Sequence, residues 1–321
     1  MKSEVFHTPN AAGWNLEIRR FSDPARLDKS RRPIVMIPGY CMNTFILSYH
    51  PAGTSMVHYL VEHGFEVWTA NLRGQGGSRR IQGPRKYGFR ELALVDFPRV
   101  RDFVLANTAT EAKIFDAVGC SLGATVLFAY LGHNPEQHGI GSLVTVGGPL
   151  RWNRVHPLVR ALLSSPSLAG SVPVFGTRQL ARAVLPALQK APFLLSLYMN
   201  PKLVDLSAAD ELVKTIDDPS SHLTRQIAHW VRNRDLVVGG LNITHALHPV
   251  QTPTMVILAN QDGIVPPEAA LSVFDHIGST DNEILRVGTP EVPYAHADMF
   301  ISKDADKNVF EPMANWLVRH Y

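Results

Sequence analysis

A chain of 321 residues with 45% apolar and 18% charged residues can bury a sizeable core, which excludes a disordered or fibrous protein and leaves room for one large domain with an inserted subdomain. Its formal charge of +3 sits on scattered Lys and Arg and on short pairs such as Arg19-Arg20 and Arg79-Arg80, so nucleic acid is not an expected partner. Residues 1–7 lack the apolar run of a secretory signal, no later run is long enough to span a bilayer, and two cysteines are too few for a disulfide framework. A cytoplasmic location is the default expectation. Lys29-Ser30-Arg31-Arg32 reads as a solvated loop.

In chain order, residues 34–37, 65–70 and 114–118 are short β-rich apolar runs that predict strands. Between them, 55–62, 98–106 and 124–131 have the amphipathic spacing of helices. This alternation predicts an α/β fold with a parallel sheet and crossover helices, and the near-continuous run Ile114-Phe115-Asp116-Ala117-Val118 suits a sheet covered on both faces. After a strand at 142–146 that ends in Gly147-Gly148-Pro149, a Leu- and Pro-rich stretch without predicted strands runs to residue 245. The alternation then resumes with a strand at 254–259, a helix at 267–276, a strand at 283–287 and a helix at 309–320. The expected organisation is a core in two parts, 1–149 and 246–321, interrupted by a helical cap at 150–245.

Gly119-Cys120-Ser121-Leu122-Gly123 matches G-x-S-x-G. The pentapeptide alone often arises as an ordinary glycine turn, and its weight comes from lying between a predicted strand and a predicted helix. A tight strand-to-helix turn forces its central residue into strained backbone angles and projects the hydroxyl beside a base. It also puts a helix N-terminus under the nucleophile, making the Leu122 amide one oxyanion donor. The second is expected from the loop Pro38-Gly39-Tyr40-Cys41 after the first predicted strand, with the Tyr40 amide as candidate. Cys120, next to the apex, reads as an inert buried thiol.

In such folds the partners follow in the order serine, acid, histidine, on loops at the carboxyl ends of later strands. Asp262 lies just past the strand at 254–259, and His296 lies in the loop after the strand at 283–287. His296 would act as general base, with Asp262 fixing its tautomer. Asp before Gly is commonly a turn residue, and one histidine among 14 says little alone; the joint position with Ser121 selects them. Asp298 reads as a local hydrogen-bond partner or helix cap and not as the orienting acid.

These residues resemble the α/β-hydrolase superfamily, and three stretches are similar to the acid lipases and related lipase-like esterases. They are Val67-Trp68-Thr69-Ala70-Asn71-Leu72-Arg73-Gly74-Gln75-Gly76-Gly77-Ser78-Arg79, Tyr87-Gly88-Phe89-Arg90-Glu91-Leu92-Ala93 leading to Asp96-Phe97-Pro98, and His296-Ala297-Asp298-Met299-Phe300 followed by Val309-Phe310. Within the cap only Ala228-His229-Trp230 has such a likeness. The chain departs from acid lipases in carrying Cys120 where they have His, and Pro38-Gly39 where they have His-Gly. It also resembles polyhydroxyalkanoate synthases, which use a cysteine nucleophile, but the apex here is Ser121, which favours hydrolysis over polymerisation. The resemblance implies an α/β-hydrolase fold with an inserted helical cap and an ester-cleaving serine enzyme without a cofactor.

Residues 158–163, 180–188 and 193–199 predict amphipathic cap helices, most of whose leucines are expected to pack the cap onto the core. An apolar acyl ester is the expected small-molecule substrate. The run Phe193-Leu194-Leu195-Ser196-Leu197-Tyr198 is too short to span a membrane, and transient contact with a lipid surface is its alternative role. His245 and His248 lack a third ligand, so no metal is expected. Two further readings stay open: acyl transfer to an alcohol or thiol by the same triad, and a non-catalytic binding protein of the same fold, against which a complete triad counts.

Overall fold

The apolar runs pair edge to edge into one twisted sheet. The structure is a computed structural model, and residues 1–163, 165, 176–189, 195–207 and 209–321 are described. The strands are Lys2–Pro9 (β1), Trp14–Ser22 (β2), Ile34–Ile37 (β3), Val67–Asn71 (β4), Arg79–Arg80 (β5), Phe115–Cys120 (β6), Ile140–Val146 (β7), Val237–Val238 (β8), Leu241–Asn242 (β9), Thr254–Ala259 (β10) and Asn282–Val287 (β11). Among the described residues the main sheet runs β1-β2-β4-β3-β6-β7-β10-β11, with β5 beside β2. From β4 to β11 every neighbouring pair is parallel, and the β1-β2, β2-β4 and β2-β5 pairs are antiparallel. This is the mostly parallel sheet that the alternation predicts.

The antiparallel edge is absent from the sequence-based expectation. In β2, Leu16 and Ile18 are buried, but Asn15, Glu17, Arg19 and Arg20 between and beyond them break the apolar run into a weak alternation. The long predicted helices at 267–276 and 309–320 are also composite. Pro267–Ala270 continues as a 3-10 turn, Leu271–Asp275, and a π turn at Asp306–Phe310 precedes Glu311–Arg319. A second π turn, Leu92–Asp96, precedes Phe97–Asn107. In both, a proline two residues on, Pro98 or Pro312, has no N–H to donate to the preceding turn, and the ladder widens there.

Helices cover both faces of the sheet. On one, Leu122–His133 is buried from Leu122 to Gly132, as a helix apolar all round should be. On the other, Met56–Glu62 and Glu311–Arg319 pack against β3, β4, β6 and β10 through Val57, Leu60, Met313 and Leu317.

Between β7 and β10 the chain leaves the sheet through the helices Pro157–Leu162, Thr177–Gln189, Ala209–Leu212, Ser221–Asn233 and Ile243–Ala246. Predicted helical residues Phe193 and Leu194 lie outside the described residues, and 195–199 close as a turn, with Tyr198 and Met199 N–H donating to Leu195 C=O. A small hairpin, β8–β9, corrects the expectation of no strands here. Its turn is Gly239-Gly240 with φ of 56° and 84°, both left-handed as a two-residue hairpin turn demands. Leu158, Leu162 and Leu180 are exposed, whereas Leu195, Leu212 and Leu223 are buried, so only part of the predicted apolar surface packs inward. No helix among the described residues is long and apolar enough to cross a membrane.

One buried ion pair braces the loop after β4. Arg73 donates through Nε and Nη2 to Asp96 at 2.8 and 2.6 Å and through its backbone N–H at 3.0 Å, and Asn10 donates to the same carboxylate. Burial pushes the Asp96 carboxyl up, against the lowering effect of Arg73. Removing one partner strands the other charge in the core. Asp96→Ala is expected to cost about 3–5 kcal/mol of stability, read from the midpoint of urea unfolding.

Candidate active site

The end of β6 delivers Ser121 into a sharp turn with φ 51° and ψ −120°, and Leu122–His133 begins at the next residue. Only a tightly packed turn holds a non-glycine residue there. Ser121 N–H donates to Val146 C=O of β7 at 2.8 Å, and its own C=O accepts from Ala124 N–H at 3.0 Å. The glycines two residues either side permit the packing. A Cβ on Gly119 would lie 2.4 Å from Ala124 Cα, and one on Gly123 would lie 2.3 Å from Ile37 C=O. Ser121 keeps partial exposure, and its hydroxyl makes no hydrogen bond among the described residues.

Asp262 and His296 come together from loops 34 residues apart in sequence. His296 Nδ1 lies 2.6 Å from Asp262 Oδ2, and both residues are buried. A carboxylate oxygen accepts, so Nδ1 donates and Nε2 is left as the free base nitrogen. The other oxygen, Oδ1, accepts from Ile264 and Val265 N–H, each at 2.8 Å, which stops the carboxylate from rotating. The imidazole sits over the end of β7, where a Cβ on Gly147 would lie 2.9 Å from His296 Cε1. Ser121 N–H bonds to Val146, the residue before Gly147.

The loop after β3 closes over the same point. A Cβ on Gly39 would lie 3.0 Å from Ser121 Cβ, so its backbone abuts Ser121. Neither the Tyr40 N–H nor the Leu122 N–H has an acceptor among the described residues. Tyr40 Oη is bonded to Thr224 Oγ1 of Ser221–Asn233, and burial drives its phenol up. Burial also pushes the Cys41 thiol up to about 12 and the Cys120 thiol higher, so neither is a ready nucleophile.

The sequence reading did not foresee that residues 197–200 tie the acid and histidine loops together. Gly263 N–H donates to Leu197 C=O at 3.1 Å and Ala297 N–H to Tyr198 C=O at 2.7 Å. Asn200 donates through its backbone to both Asp298 oxygens at 2.9 and 3.0 Å and through its side chain to Pro293 C=O at 2.9 Å. Asp298 also accepts from Ala295 N–H at 2.7 Å, the local role expected for it. The Asn200-Pro201 turn signal was the available hint to this crossing, but nothing in it names the partner loops.

A serine elbow, a carboxylate–imidazole pair and a parallel sheet define the α/β hydrolase class. Residues 32–288 match the family described as the alpha/beta hydrolase fold, and the chain belongs to that family. Among curated proteins it is similar to Lipase member N of Homo sapiens, with 32% identity over 145 residues, 42% of this chain and 36% of that lipase. The match thus spans just over a third of the length of that relative. Among solved structures, a putative lipase from Acinetobacter baumannii superposes with a TM-score of 0.66 at 15% identity, over 99% of this chain and 92% of that one. An esterase from Rhodococcus sp. superposes with a TM-score of 0.65 at 14% identity, over 99% of both chains. At these identities the structural likeness is one of fold.

Asp298 links this site to pH. Burial raises its carboxyl from 3.8 to about 7, with the nearby Asp262 adding to the rise and its backbone donors and His296 opposing it. Because the folded value lies above the unfolded one, its contribution to stability is full below about pH 4 and is lost as pH rises through about 7. Asp298→Asn removes one acceptor and the titration together. Thermal unfolding of the variant is expected to show a loss of about 1–3 kcal/mol at pH 5 and a flatter slope than the native chain from pH 5 to 8.

Proposed function

We propose that the protein is a serine hydrolase that cleaves carboxylic esters with an apolar acyl group through an acyl-Ser121 intermediate. The observations that carry this reading are the strained Ser121 turn, bonded to Val146, and the His296–Asp262 pair, whose imidazole lies against Gly147, the next residue. In the proposed reaction His296 Nε2 takes the Ser121 proton as Oγ attacks the ester carbonyl. Asp262 stabilises the imidazolium through Nδ1–H, and the Tyr40 and Leu122 amides receive the oxyanion. Collapse expels the alcohol, protonated by His296, and water repeats the sequence to release the acid. Neither amide has an acceptor among the described residues, which leaves both N–H groups available to an oxyanion and supports this role.

The apolar acyl preference is supported by a cavity of about 60 Å³ lined by Ile46, Tyr198, Met199, Leu212, Val213 and Ile301. Tyr198, one wall of this cavity, has its ring centroid 6.1 Å from that of His296. The name of the curated lipase relative supports ester cleavage.

The test is covalent labelling by a fluorophosphonate, read as intact mass, with turnover of p-nitrophenyl esters from acetate to palmitate. Labelling at Ser121 with a chain-length preference is expected. Ser121→Ala should abolish labelling and lower kcat by about 10⁶-fold, and Asp262→Asn should lower it by about 10⁴-fold. A folded chain that neither labels nor turns over any ester would sink the reading.

A further inference from the structure

Gln75 is neither a triad residue nor an oxyanion donor, yet its side chain reaches the backbone that carries one of the proposed donors. Its Nε2 donates to Gly39 C=O at 3.0 Å, while its Oε1 accepts from Leu72 N–H at 2.9 Å. The amide orientation is forced, because an N–H faces one end and a C=O faces the other. Gly39 C=O and Tyr40 N–H belong to the same planar trans peptide, so they point in opposite directions. A donor pulling on the carbonyl from the Gln75 side therefore turns the Tyr40 N–H away from Gln75. It also polarises the peptide, which strengthens the N–H as a donor.

Gln75 is itself held in place. Gly74 and Gly76 on either side have φ of 80° and 48°, and a Cβ on either would strike the Tyr87 hydroxyl or the Asn71 amide. Gln75 N–H donates to Leu72 C=O at 3.1 Å, Ser78 N–H donates to Gln75 C=O at 3.0 Å, and Gly76 N–H donates to Asp217 Oδ2 at 2.7 Å. Asp217 N–H in turn donates to Cys41 C=O at 2.9 Å, so the same turn grips both ends of Gly39-Tyr40-Cys41. Behind it stands the buried Arg73–Asp96 pair.

We infer that Gln75 is a positioning residue for the reaction, which acts by holding the Gly39–Tyr40 peptide so that the Tyr40 N–H faces the ester oxyanion. This rests on the serine-hydrolase reading above. The Gln75 side chain bonds to Leu72 and Gly39 and not to Ser121, so it works through the peptide plane. Its loss should lower transition-state binding and leave ester binding in the ground state unchanged.

The experiment uses the full chain with Gln75→Glu and Gln75→Met. Glu keeps the acceptor for Leu72 but turns a carboxylate oxygen toward Gly39 C=O, and Met keeps the length without either bond. The measurements are kcat and KM on a p-nitrophenyl ester and inhibition by phenylboronic acid, whose tetrahedral adduct with a serine hydroxyl places an oxygen in the oxyanion site. Both variants are expected to lose about 10- to 100-fold in kcat, somewhat less than deletion of an oxyanion donor costs, with KM within about twofold. Boronate affinity should fall in proportion to kcat/KM. Folded variants with native kcat and boronate affinity would overturn the inference, as would a loss confined to KM or to thermal stability. An inactive, unlabelled native chain would sink the hydrolase reading as well, whereas an active native chain with unimpaired variants sinks only the role of Gln75.

Discussion

A serine held at φ 51° is the constraint around which the rest of the site is arranged. Such a conformation costs on the order of 1–3 kcal/mol and persists only where its surroundings leave no alternative. Here β3, β6 and β7 end side by side, Val146 takes the serine N–H, and the buried helix Leu122–His133 must start at once to stay over the sheet. Two glycines without Cβ atoms let that helix press onto Ile37 and Ala124 onto Gly119. The strain at one residue is thereby carried by the packing of a whole helix against three parallel strands.

Around this fixed point the loops are soft by nature, and the structure stiffens them from outside. Residues 197–200 bond to the Asp262 loop and the His296 loop together, and Asp217 with Thr224 bonds to the loop that carries Tyr40. The segment inserted between β7 and β10 is therefore part of the site's scaffold on both sides. Each backbone hydrogen bond contributes only about 1 kcal/mol net, but several of them acting on short loops restrict the few angles that decide where a carboxylate or an N–H points.

Two buried acids serve this stiffening in different ways. Asp96 is held by a two-pronged guanidinium and anchors the turn that contains Gln75, and Asp298 is held by backbone N–H groups and anchors the histidine loop. Both carboxyls are pushed up by burial, so the chain accepts a desolvation cost at the two loops where position matters most. The thiols of Cys41 and Cys120 are pushed the same way by burial, so neither ionises readily.

Local patterns in the chain encode much of this structure. The parallel strands and crossover helices follow from apolar periodicity, and the Ser121 turn follows from glycines at fixed offsets between a strand and a helix. The Asp262–His296 pair follows from Asp262 lying just past β10 and His296 lying in the loop after β11. The edge strands β1 and β2 were hidden because charged residues interrupt their alternation, and the β8–β9 hairpin because two-residue strands carry almost no period. Only the tertiary structure decided that Asn200 meets Asp298 and that Gln75 meets Gly39. Those contacts join residues far apart in the chain, and a polar group carries no mark of its partner until the fold brings the two together.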